Sequence, residues 1–177
     1  MSSYSKSNKG FSLIELLVVV AIIGTISGIG FIAYNLYITA SQKKITETNH
    51  TNLTKRVMTS MMVCDAGMEL ILNDENGKTK DQCDKMNEEN LANFRTALVK
   101  HFQNGERWCS PYGQYQGGIC VAAVIEGEDY EDFNNPSMPG VSKLIYGTNI
   151  AGEICQSIFI RTEILRSEYK ESIVCKP

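Results

Sequence analysis

The chain has 177 residues, a hydrophobic fraction of 43% and a formal net charge of −3, which allows one soluble domain with an appendage. The weak negative balance excludes a general polyanion-binding surface, because nonspecific nucleic-acid affinity rests on clustered Lys and Arg. Apolar residues are spread unevenly, and Gly10 to Gln42 holds one charged residue, Glu15, in 33 positions.

Residues 1–10 are polar and carry Lys6 and Lys9; without them 15 basic and 20 acidic side chains remain, a charge of −5 that suits a soluble head. The segment 11–24 reads FSLIELLVVVAIIG. A helix over the whole apolar stretch is about 50 Å long, more than a bilayer needs. An ordinary secretory signal has an apolar core of about 7–15 residues before a small-residue cleavage site. This stretch is longer, and Glu15 stands near its start. A plain single-pass anchor explains the length and the flanking lysines but gives Glu15 no reason, since a carboxylate within the bilayer costs about 2.5–3.5 kcal/mol.

Lys9-Gly10-Phe11-Ser12-Leu13-Ile14-Glu15 resembles the cleavage and methylation site of type IV prepilins and pseudopilins, and the similarity continues through Ala21, Ile22, Ile23 and Gly24 to Tyr34 and Tyr37. The resemblance implies that a prepilin peptidase/methyltransferase cuts after Gly10 and methylates the new amino group of Phe11. It implies a leader at 1–10, a hydrophobic transmembrane and filament-core helix at 11–40, and a soluble, disulfide-bearing head at 41–177. The implied partners are the peptidase, other pilin subunits and an inner-membrane assembly platform. The implied location is the inner membrane with the head in the periplasm, then an extracellular filament. No cofactor is implied.

Cleavage puts a cation at Phe11, four residues before Glu15 on the same helix face. A neighbouring helix shifted along the filament axis then sets its Phe11 ammonium against Glu15. Unpaired or like-charge registers are heavily penalised in a dry bundle, so Glu15 is expected to set subunit register. Many major pilins have proline where this chain has Ile32, so the helix need not kink there. Gly24, Thr25, Ser27, Gly28 and Gly30 nevertheless make the stretch a poor intrinsic helix.

Leu53, Val57, Met61, Cys64, Met68 and Leu72 form a helical stripe, which predicts that the membrane helix continues as one long helix laid against the head. Gly67 weakens its end. Asn73 to Asp84 reads as a loop. A second helix is predicted from about Asn87 to Phe102, with Leu91, Phe94, Leu98 and Phe102 on one face. Strand patterns follow at 119–125, 143–147, 157–165 and 171–175, with a turn-rich connection at 127–140. The predicted class is α+β, a long N-terminal α-helix packed on a small antiparallel β-sheet, which is also the pilin plan.

All six cysteines lie beyond the apolar segment, which points to an oxidising compartment and up to three disulfides. Zinc is the weaker reading, because no pair has CxxC spacing and neither histidine stands near one. Fifteen pairings are possible. The preferred set closes local loops: Cys64–Cys83, Cys109–Cys120 and Cys155–Cys175. The last pair looks like the disulfide-bounded C-terminal region of many type IV pilins.

No GxSxG, glycine-rich phosphate loop, HExxH or Cys-His nucleophile pair is present, so an enzyme is not expected. His50 and His101 fall in predicted amphipathic helices, as solvated side chains. Trp108, Tyr112 and Tyr115 form a candidate surface for a glycan, a partner or bases, set against a role in packing. The acidic run Glu126, Glu128, Asp129, Glu131 and Asp132 lacks EF-hand spacing, and a solvated loop is preferred to a calcium site. The family resemblance favours a type IV pilus subunit serving adhesion, motility or DNA uptake. The alternatives are a type II secretion pseudopilin, whose major forms tend to lack the C-terminal bridge, and a minor or competence pilin acting as a binding module.

Overall fold

The structure, a computed structural model, describes residues 10–73, 79–87, 91–113, 121–127, 138–148, 155–165 and 168–177. The chain divides into two units, Met1–Ala40 and Ser41–Pro177, and helix α1 (Leu13–Asp65) contributes to both.

In the first unit α1 is apolar on every side, with Leu13, Ile29 and Phe31 all exposed. A helix hydrophobic all round is one that a bilayer or a bundle must surround. By length and composition it is able to cross a membrane, with an 18-residue window of mean hydropathy 2.6. The glycine-rich stretch 24–32 is helical. Within it the Thr25 hydroxyl folds back on the helix, donating to the Ile22 carbonyl at 2.9 Å.

In the second unit α1 buries Thr46, His50, Leu53, Val57, Ser60, Met61 and Cys64. The helix ends at Asp65, short of the predicted stripe. Gly67 (φ +70°) takes the left-handed conformation, and its N–H donates to the Cys64 carbonyl while that of Met68 donates to Val63, each at 3.0 Å. This Schellman cap satisfies the last carbonyls and turns the chain. Met68 is therefore exposed, and Leu72 reaches the core from a strand.

The predicted 73–84 loop is likewise corrected. Strands β1 (Ile71–Asn73) and β2 (Thr79–Asp81) pair antiparallel, and a short helix α2 (Cys83–Met86) follows. Helix α3 (Ala92–Lys100) runs into a π-helical turn at His101–Gly105. Leu91, Phe94, Leu98 and Phe102 are each at most 1% exposed, worth about 1.5–3 kcal/mol of burial apiece.

The main sheet has the order β3 (Val124–Glu126), β4 (Ser142–Thr148), β5 (Gln156–Leu165) and β6 (Glu168–Cys175). The α+β class holds, but the sheet is mixed: β4–β5 and β5–β6 are antiparallel, whereas β3 pairs parallel with β4. A tight hairpin forces antiparallel neighbours, while a connection of a dozen or more residues, such as 127–141, allows a parallel return. Leu144, Ile158, Ile160 and Val174 join the core cluster that contains Leu53, Val57 and Met61. Ile145 and Phe159 form a separate small cluster, packed against Ile173.

Candidate functional site

Gly10, Phe11 and Glu15 stand at the start of α1. Nothing lies within 4 Å of a Cβ built on Gly10, and Phe11 is 82% exposed. Residues 1–9, most of the expected leader, lie outside the described residues.

Ser12 stands inside the motif, but the motif reading gives it no role of its own. Its Oγ accepts from the Glu15 N–H at 3.3 Å, while Glu15 Oε2 accepts from the Ser12 N–H at 2.9 Å and from its hydroxyl at 3.0 Å. This is a reciprocal capping box, whose Ser-x-x-Glu signature stands in the sequence. The box gives Glu15 a reason to stand at the start of the helix even in a plain single-pass anchor. The carboxylate has a local duty in starting the helix, and its other oxygen, Oε1, takes no part in the box.

Two disulfides of the head have both cysteines among the described residues. Cys64 at the end of α1 is bonded to Cys83 at the start of α2, and Cys155 to Cys175 across the β5–β6 edge, with sequence separations of 19 and 20. Cys109 is disulfide-bonded; Cys120, its expected partner, lies outside the described residues.

The histidines differ from the solvated side chains expected. His50 is 1% exposed between α1 and the sheet. Burial, with a smaller contribution from Lys170, pushes its pKa down to about 4. His101 sits in the π-helical turn, where its Nδ1 accepts the Asn73 backbone N–H at 3.2 Å and its Nε2 lies 3.4 Å from Glu106. A helical stripe marks which face is buried but not whether a polar residue on it finds partners.

Of the candidate binding aromatics, Trp108 packs on Phe102 with ring centroids 5.0 Å apart and donates its indole N–H to Glu106 at 2.7 Å. Glu106 also pairs with Arg56. Tyr112 is half-buried, and burial raises its pKa. Tyr115 lies outside the described residues. Glu126 of the acidic run pairs with the buried Arg95 at 3.2 Å, and Glu128, Asp129, Glu131 and Asp132 lie outside the described residues.

Comparison with known proteins bears on the N-terminal region. Residues 5–31 match the family described as the prokaryotic N-terminal methylation motif, the prepilin-type cleavage and methylation motif of type IV pilins and pseudopilins. The motif's family is structural rather than enzymatic. No curated protein and no solved structure matches the chain.

Proposed function

We propose that this chain, which carries the prepilin-type methylation motif over residues 5–31, is a structural subunit of a type IV pilus. A prepilin peptidase cuts the inner-membrane precursor after Gly10 and methylates Phe11. The subunit then moves from the membrane into an extracellular filament for adhesion, motility or DNA uptake. The observation that carries the reading is the coincidence of that motif with an exposed, largely apolar helix from Leu13 to Leu36, in which Glu15 is the one charged side chain. Such a surface needs lipid or like helices around it. The C-terminal bridge Cys155–Cys175 supports the pilus over the secretion pseudopilus.

Mass spectrometry of the chain taken from membranes and from sheared surface filaments tests this. The expected product begins at Phe11 and carries one added methyl group. An uncut chain, or cleavage near Ala33 or Ala40, rejects the prepilin reading. Absence from sheared filaments rejects the structural role.

A further inference from the structure

A groove of about 390 Å³ opens on the head between the second half of α1, strand β1 and the π-helical turn. Val63, Leu70 and the exposed Ile71 are among its apolar lining, while Lys55, Arg56 and His101 are among its charged and polar side chains. No carboxylate is among the lining residues. Arg56 pairs with Glu106, and His101 Nε2 lies near the same carboxylate. Lys55 makes no ion pair among the described residues, so the groove carries one unneutralised cation beside apolar surface. Its occupant should be anionic and apolar at once.

The chain itself contains such a segment. Residues 128–133 read Glu-Asp-Tyr-Glu-Asp-Phe, four carboxylates interleaved with Tyr130 and Phe133. We propose that this segment of one copy docks in the α1–β1 groove of a second copy, an inference that rests on the filament reading above. Aromatic side chains are the usual anchors of buried interface pockets, and charge complementarity sets their register and partner. The two surfaces are different patches of one chain. Their contact is therefore heterologous and repeats head to tail, the kind of interface that builds an open filament rather than a closed dimer.

The test uses the full chain with Tyr130→p-benzoylphenylalanine, irradiated in sheared filaments and run on a reducing gel. A dimer band whose cross-linked peptide contains Lys55 to Val63, Leu70 to Leu72 or Leu98 to Phe102 is the expected result. Lys55→Glu should lower the dimer yield on the order of tenfold, and adding Glu131→Lys to the same chain should restore it. If the chain is in filaments but the cross-link is intramolecular, maps to another surface, is absent, or ignores the charge reversal, the docking proposal falls and the filament reading stands. If the chain is missing from sheared filaments, both fall.

Discussion

His50 on α1 and Thr162 on β5 share a 2.7 Å hydrogen bond across the helix–sheet interface of the head. The Thr162 hydroxyl is in turn 2.6 Å from that of Ser142, and His50 Nε2 is 2.8 Å from the Ser172 hydroxyl. The ring therefore joins strands β4, β5 and β6 to the helix through a buried polar network. Such networks specify one packing arrangement when every member is satisfied.

Because burial disfavours the imidazolium, His50 should make its own contribution to the pH dependence of head stability. The unfolded chain takes up the proton near pH 6.5 and the folded chain only near pH 4. The contribution is complete above about pH 6.5 and is lost as pH falls from there toward about 4. Its full size is about 3 kcal/mol. Urea unfolding of the full chain in detergent, followed by the fluorescence of Trp108, should show a larger loss from pH 7 to 4.5 in wild type than in His50→Asn. Carboxylate titration is common to both proteins, so equal losses would mean that His50 is not held neutral.

The disulfides should stabilise the head without bearing on membrane insertion. The Cys64–Cys83 bridge joins the end of α1 to α2, and a loop of that length is worth about 3 kcal/mol in the chain-entropy account. Cys64→Ser with Cys83→Ser should lower the urea midpoint accordingly and leave the chain in the membrane fraction. Non-reducing peptide mapping of filament protein should find no free thiol. Several free thiols there would contradict an oxidising location for the head.

Gly140 should not tolerate a side chain. It sits at φ +80°, and a Cβ there falls 2.4 Å from the Ser110 hydroxyl and 2.9 Å from the Pro111 ring. The Ser110 hydroxyl is already donated to the Pro139 carbonyl at 2.9 Å. Left-handed strain and overpacking together should cost Gly140→Ala about 2–4 kcal/mol, read as a lower thermal midpoint. Gly67→Ala has the same φ problem but open space around it, so it should cost less. Equal effects would remove the packing argument.

Glu15 has a capping role and a proposed charge role, and two substitutions separate them. Glu15→Gln keeps an acceptor for the Ser12 N–H and preserves the box, yet it removes the charge proposed to pair with a neighbour's Phe11 amine. Glu15→Val removes both functions and should insert in the membrane as well as wild type or better. Both variants should reach wild-type membrane levels and give little or no sheared filament in a strain lacking the wild-type chain. Normal filaments from Glu15→Gln would assign the residue to helix initiation alone, and register would then have to come from packing.

The elements legible in the sequence are those whose signal is contiguous. Gly10 to Glu15 is a linear motif, and Ser12 with Glu15 forms a cap over one turn. The stripe Leu53, Val57, Met61, Cys64 and the face Leu91, Phe94, Leu98, Phe102 are buried as their helical spacing requires, because one rotation per 3.6 residues fixes which side chains share a side. Tertiary structure decided what depends on remote partners. Met68 and Leu72 continue the stripe in sequence but lie past the cap at Gly67, so the periodicity outlives the helix. The strand patterns predict an antiparallel sheet throughout and miss the parallel pairing of β3 with β4, because strand propensity carries no information about neighbours. His50 reads as a polar residue on a helix, and only the approach of Thr162 and Ser172, more than a hundred residues away, makes its burial affordable. A buried polar group is stable when its hydrogen bonds are supplied, and that supply comes from the far end of the chain.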